Sequence, residues 1–428
     1  MSIHQFHHLA FGFYNFCWCT ALPWLKLNHR LAEGYPDRLL KGKMTGTADL
    51  WIQAASVGEA FLAVEIVKTL KTRDVIHILL TSNTRQGIDV LNQSLHREIK
   101  ANKRVQAAVR YFPFDKPSLM RKAVDSIQPK LMVLLESEIW PGLMRSLKKS
   151  GCRTLIVNGR MTEKSLKRYL LWPSIWRLLR PDSILAISAD DAKRFKQLFG
   201  KDDVDVMPNI KFDRLVSSHE ANGEHNNGLA TILPPQIPFI VLASVRKEEE
   251  PLVNKIIAKI FSGEPQCIIG LFPRHLHRIH VWQETLDKRN IRWGLRSNVT
   301  GAVSPGTVVI WDTFGELVSA YRFAKTAFVG GSLAPLGGQN FLEALINGVV
   351  PVIGPSWENF AWVGPEILGL GLLRVAHDWR EVAHLLLTDL EHPGRHDEVI
   401  KATINYIHAR QGGTYQACRQ IETLLEIR

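Results

Sequence analysis

Cysteine is scarce in this chain. Five stand in 428 residues, Cys17, Cys19, Cys152, Cys267 and Cys418, and none has the paired spacing of a zinc site or a disulfide framework. They read as reduced thiols of the cytosol. Short-period repeats and long low-complexity tracts are missing as well, and beyond residue 27 no apolar run is long enough to span a membrane. Acidic residues are short in the first half only. Residues 1–213 hold 33 Lys+Arg against 20 Asp+Glu, whereas the remainder holds 20 against 21, so the whole excess behind the net charge of +12 lies in the first half. Such asymmetry points to an anionic partner, a phosphorylated lipid, a membrane surface or a nucleic acid, or equally to a solubilising basic surface. No nucleic acid is expected, because the basic residues are dispersed and no recognised module accompanies them.

Aromatic residues concentrate at the N-terminus. Leu9 to Leu25 carries six aromatic side chains and no charge. At 17 residues it sits at the short limit for a spanning helix, and Asn15 and Pro23 argue against spanning. A secretory signal would place positive charge before its apolar core, but here Lys26, His29 and Arg30 follow it. Residues 1–30 are therefore expected to form an interfacial or shallow membrane anchor, with the aromatics at headgroup depth, in preference to a buried N-terminal helix.

After this segment, short apolar runs alternate with helical patterns. Leu50–Ala55, Val75–Leu80, Lys130–Leu135, Thr154–Val157 and Ser183–Ile187 read as strands, then Phe239–Ala243, Gln266–Leu271, Val308–Trp311, Thr326–Val329 and Val350–Ile353. Alternation of this kind predicts an α/β chain of two doubly wound halves with parallel sheets. Polar, Gly/Asn-rich sequence between Ser217 and Gly228, followed by Pro234, Pro235 and Pro238, marks the boundary. The expected domains are 31–214 and 238–428, joined by a linker at 215–237.

Several strand ends carry chemistry. In Ser56-Val57-Gly58-Glu59, a carboxylate follows a glycine where a buried strand hands over to a helix. In open α/β sheets ligands gather at such strand ends, which makes Glu59 a candidate base; its bland role is to favour the positive end of the helix dipole. Glu136 and Glu138 end another strand, and both project to one side if the chain there stays extended. Paired acids near Glu59 would raise its proton affinity. Arg160 and Lys211 stand at further strand ends. In the second half, Gly330 to Glu343 runs from a strand through four glycines in nine residues into a helix. Its backbone N–H groups are expected to cradle phosphate, with Asn340 as cap and Glu343 near ribose hydroxyls. Arg274, after Pro273, suits a phosphate clamp. Asp312 to Leu317 supplies a third loop, or an ordinary helix start.

Taken in order, these segments resemble the 3-deoxy-D-manno-octulosonic acid (Kdo) transferases of lipopolysaccharide synthesis. The resemblance is carried by Ser56-Val57-Gly58-Glu59, Glu136-Ser137-Glu138-Ile139-Trp140-Pro141, Asn158 to Ser165, Lys211-Phe212-Asp213, Pro273-Arg274-His275, Gly315-Glu316-Leu317 and the Gly330–Glu343 loop. It implies a GT-B glycosyltransferase, with two Rossmann-like domains facing a central cleft and an N-terminal membrane-associated helix. The first domain would bind the acceptor and the second CMP-Kdo, with inverting transfer to an anionic phosphorylated lipid A precursor at the cytoplasmic face of the inner membrane. By motif, Glu59 matches the general base, and Glu138 and Lys211 match transition-state stabilisers. Pro273, Arg274, Phe314, Gly315, Glu316, Asn340, Phe341, Leu342 and Glu343 match nucleotide-contacting positions. The resemblance implies CMP-Kdo as donor substrate, with no separate cofactor and no metal. Departures from the family's usual pattern are Arg246 after Ala243-Ser244-Val245, Pro208 before Asn209, Gln339 in the glycine loop and Ala344 after Glu343.

Overall fold

The apolar runs become strands buried on both faces, as parallel sheets require. The computed structural model describes residues 3–41, 46–99, 104–221, 228–392 and 394–426, and its contacts divide into two units, residues 1–214 with 410–428, and residues 215–409. In the first unit β1 (Leu50–Ala54), β2 (Ile76–Ser82), β3 (Val105–Tyr111), β4 (Leu131–Leu135), β5 (Arg153–Gly159), β6 (Ser183–Ala186) and β7 (Asp205–Val206) form one sheet in the order 3-2-1-4-5-6-7. In the second, β8 (Phe239–Val245), β9 (Ile268–Pro273), β10 (Trp293–Leu295), β11 (Thr307–Ile310), β12 (Thr326–Val329), β13 (Pro351–Ile353) and β14 (Arg374–Val375) run 10-11-9-8-12-13-14. All pairings are parallel. Strand order reverses between β1 and β4 in one unit and between β8 and β12 in the other. These are the switch points at which open α/β sheets bind ligands.

Alternation along β1 sorts its side chains between two cores. Leu50 and Ile52 face the Val57–Thr69 helix, while Trp51 faces the layer that holds Phe11 of the N-terminal helix and Leu143 of the Pro141–Ser150 helix. That N-terminal helix spans Ile3–Leu25, with Pro23 in its last turn. No helix among the described residues is long and apolar enough to cross a membrane.

Four strands escaped the sequence reading. Polar Gln106 and Arg110 interrupt the apolar signal of β3, and β7, β10 and β14 are edge strands of only two or three residues. The chain's end also differs from expectation. Residues 410–428, read as part of the second domain, belong to the first unit, where Ala417, Cys418, Ile421 and Leu425 of the Gly413–Leu425 helix complete the core beside the Val57–Thr69 helix. Asp213 caps this last helix, accepting from Gly412 N at 2.7 Å, Thr414 N at 2.6 Å and Thr414 Oγ1 at 2.6 Å. The first unit is left at Arg214, within the Ile210–Ala221 helix; residues 222–227 of the expected linker lie outside the described residues.

Candidate active site

Glu59 sits in the first turn of the Val57–Thr69 helix, directly after β1. Ser56 caps that helix through its hydroxyl, and the Glu59 carboxylate reaches back to accept from Ala55 N at 2.6 Å and from Ser56 Oγ at 3.0 Å. This reciprocal box fixes the carboxylate at the switch point. Glu59 is only 8% exposed. Burial raises its proton affinity first, and the nearby charge of Glu136 raises it further, against the lowering effect of its hydrogen bonds and of Lys211.

Glu136 and Glu138 follow β4, the other strand at the switch, but they do not share an extended segment. Glu136 takes a left-handed conformation, φ 56°, and starts a turn in which Ile139 N donates to Ser137 O at 2.9 Å. The expectation that both acids project side by side fails at this turn. Glu136 instead forms an ion pair with Lys211, Nζ to Oε1 2.7 Å, and Glu138 accepts from the Trp140 indole N–H at 2.7 Å. Burial pushes the Glu138 carboxyl up to about 7, with the charges of Glu59 and then Glu136 adding to the effect. Two buried carboxyls whose proton affinity is raised, Glu59 beside Glu136 and Glu138 beside Glu59, suit proton transfer near neutral pH.

Lys211 reaches this cluster from the Ile210–Ala221 helix. Asn158, at the end of β5, accepts from Ile210 N at 3.0 Å, and Asn209 accepts from Lys211 N at 3.0 Å. The structure thus brings Glu59, Glu138 and Lys211 together in the first unit, with Glu136, expected as the paired acid of Glu138, serving as the ion partner that orients the lysine.

The second unit arranges its motifs differently from the expectation. The donors of the glycine loop after β12 are already taken: Glu249, fully buried, accepts from Gly331 N at 2.5 Å, Ser332 N at 2.8 Å and Leu333 N at 2.7 Å. Gly337 N donates to Ser356 Oγ at 2.8 Å and Gly338 N to Gly331 O at 2.7 Å. The glycines serve an internal carboxylate nest, so the expected phosphate cradle is not formed by these N–H groups. Glu249 gave no sequence signal, because it lies in an acidic run that reads as surface.

Asn340 accepts from Leu342 N at 3.3 Å and donates to Glu343 Oε1 at 2.8 Å, which orients Glu343 at the start of the Leu342–Ile346 helix. Burial raises Glu343, and the Asn340 hydrogen bond and the Arg274 charge hold it back. Phe341 and Leu342 are buried. Arg274 is exposed just beyond Pro273, the last residue of β9. Glu316 is engaged within the chain: Arg296 forks onto it with two 2.9 Å bonds, and Trp311 Nε1 donates at 2.8 Å. Gly315 turns at φ 90° and leaves Phe314 83% exposed. Outward-facing candidates for a nucleotide in this unit are therefore Arg274 and Phe314, backed by Asn340 and Glu343. Among the described residues no cluster of His, Cys, Asp and Glu is arranged to hold a metal ion.

Two parallel, doubly wound units in one chain define the GT-B class. UDP-GlcNAc 2-epimerase from Neisseria meningitidis, bound to UDP-GlcNAc, has this fold, with a TM-score of 0.56 over 90% of this chain and 100% of its own at 13% identity. A putative UDP-N-acetylglucosamine 2-epimerase from Listeria monocytogenes gives 0.53 over 89% and 96% at 12% identity. Relationship by sequence is narrower. Residues 27–214 match the family model described as 3-deoxy-D-manno-octulosonic-acid transferase (kdotransferase). The 3-deoxy-D-manno-octulosonic acid transferase of Bordetella pertussis is 28% identical over 384 residues, covering 88% of each chain. That of Haemophilus influenzae is 28% identical over 327 residues, 74% of this chain and 72% of its own. The chain is a homologue of the Kdo transferases.

Proposed function

We propose that this protein is an inverting glycosyltransferase that moves Kdo from CMP-Kdo to a lipid A precursor in lipopolysaccharide biosynthesis. The observation that carries the reading is the Glu59–Glu138 pair at the switch point of the very unit that matches the Kdo transferase family. Glu59 takes the proton from the acceptor hydroxyl as it attacks the anomeric carbon of Kdo. Glu138 stabilises the oxocarbenium-like centre, and Lys211, steadied by Glu136, offsets negative charge on the Kdo carboxylate or departing phosphate. Arg274, Phe314, Asn340 and Glu343 are the proposed nucleotide contacts, with Pro273, Gly315, Glu316, Phe341 and Leu342 shaping their loops.

The acceptor is proposed to be met at a membrane, at its cytoplasmic face. On the N-terminal helix Phe11, Tyr14 and Trp18 turn toward the first unit, while Leu9, Phe13, Phe16 and Trp24 form an outward stripe, each 62–71% exposed. Such a stripe suits a helix lying in the interface. Further large apolar side chains are exposed close together in sequence: Leu171 and Trp172 in the link between the Glu163–Tyr169 and Pro173–Leu178 helices, and Leu178 at the end of the second. Residues 160–201 around them hold ten Lys/Arg against four Asp/Glu, and these helices pack in the same core layer as Phe11. Basic charge around apolar side chains favours an anionic leaflet.

Incubating purified protein with CMP-Kdo and a tetra-acylated, bisphosphorylated lipid A precursor, then weighing the products, tests the reading. Mass gain by whole Kdo units, lost in Glu59→Gln, is the expected result. Folded protein that binds UDP tightly in place of CMP, and transfers nothing from CMP-Kdo, overturns it.

A further inference from the structure

The Pro141–Ser150 helix begins immediately after the Glu138–Trp140 turn and lacks a cap of its own. Trp140 occupies the capping position with no side-chain hydrogen bond to the helix, and Pro141 has no N–H, so the first donors in need of a partner are Gly142 N and Leu143 N. A distant carboxylate takes both. Asp115, 1% exposed, accepts from Gly142 N at 2.8 Å and from Leu143 N at 2.7 Å. Contact at this point is close enough that a Cβ on Gly142 would meet the Asp115 carboxylate at 2.9 Å, so glycine is required there.

The same carboxylate also holds the N-terminal helix. Tyr14 OH donates to Asp115 Oδ2 at 2.8 Å, the oxygen that Gly142 N also uses. Ring contacts run in parallel: Trp18 lies 5.9 Å from Phe114, and Phe112 lies 5.7 Å from Trp140. The Trp140 indole, a donor with no acceptor to offer the helix, reaches Glu138 instead.

We infer that Tyr14 and Asp115 are positioning residues for Glu138, joining the seating of the N-terminal helix to the turn that presents this carboxylate. The inference rests on the role proposed for Glu138. When the helix is docked, Tyr14 completes the hydrogen bonding of Asp115, Asp115 fixes the start of the Pro141–Ser150 helix, and the Trp140 indole meets Glu138 in one geometry. When the helix lifts, Asp115 loses a donor and the turn loosens. Turnover is thereby tied to docking of the segment proposed to touch the membrane.

The test uses the full chain in three variants: Tyr14→Phe, which removes one hydroxyl and keeps the ring; Trp140→Phe, which removes the indole donor; and the double variant. Amide hydrogen exchange at Gly142 and Leu143 is expected to speed up about fivefold in Tyr14→Phe, the scale of one lost hydrogen bond. Its kcat is expected to fall by a similar factor of about five with KM for CMP-Kdo unchanged. Trp140→Phe should lower kcat further, and the double variant should match Trp140→Phe alone, because both changes act on one route. Unchanged exchange at Gly142 and Leu143, or losses in kcat that multiply, overturns the inference. Exchange is read without turnover, so failure of the Kdo transferase reading, shown by folded unsubstituted protein that transfers nothing from CMP-Kdo, stays distinguishable from failure of the clasp.

Discussion

At the scale of single residues, the site turns on how tightly three carboxyls hold their protons. Glu59→Gln keeps the shape and the Ser56 capping box but removes the base. Its kcat is expected to fall by about 10²- to 10⁴-fold while CMP affinity is kept, as steady-state kinetics and equilibrium dialysis would show. Glu138 and Asp115 are each pushed up to about 7, chiefly by burial. A carboxyl that binds its proton more tightly when folded adds stability at low pH and loses that share as pH rises from the ordinary carboxylate range through 7. Melting temperature is therefore expected to decline between pH 5 and pH 8, and the decline should be shallower in Glu138→Gln; parallel curves for the two proteins would refute the shift. Glu59 was legible in the sequence because a strand-glycine-helix junction announces itself. The left-handed turn at Glu136 was not, since a run of apolar strand residues followed by Glu-Ser-Glu reads as extended until tertiary contacts with Lys211 and Trp140 bend it.

At the scale of elements, the glycine loop after β12 shows how a correct motif misleads about its ligand. The strand, the glycines and the following helix were all legible, and so was the presence of donors wanting an anion. That the anion is Glu249, roughly 80 residues earlier in the chain, depends on β8 and β12 being neighbours, and single-strand patterns do not carry strand order. Glu249→Ala would strand three backbone donors of the loop in a buried site, a cost of about 3–5 kcal/mol. Denaturant melts of the full chain should show an early transition in the second unit, with tighter CMP binding unable to rescue it. Ser56→Ala, by contrast, removes one exposed-side cap and should cost only about 1 kcal/mol. A loss in Ser56→Ala equal to that in Glu249→Ala would contradict the picture of a buried structural nest.

At the scale of the whole molecule, the chain leaves the first unit at Arg214 and returns to it at Arg410. Apolar periodicity in the final segment predicts a helix equally well for either domain. What assigns it to the first unit is Asp213, whose carboxylate caps the returning helix, and the gap beside the Val57–Thr69 helix that Ile421 and Leu425 fill. The helix that carries Glu59 therefore leans on residues more than 350 positions later in the chain. Removing residues 410–428 would expose Ala417, Cys418, Ile421 and Leu425 and their partners, a loss on the order of 5 kcal/mol, comparable with the entire stability of an ordinary domain. The truncated protein is expected to lose the cooperative melt of its first unit while the second, which contains none of the deleted residues, keeps its own and still binds CMP. Cys418, buried in this contact, reports the same event: its thiol should resist alkylation in the folded full chain and react once the helix detaches. Were the truncated chain to melt as the intact one does, with Glu59 still competent for transfer, the last helix would be an appendage and the first unit would owe its order to the sheet alone.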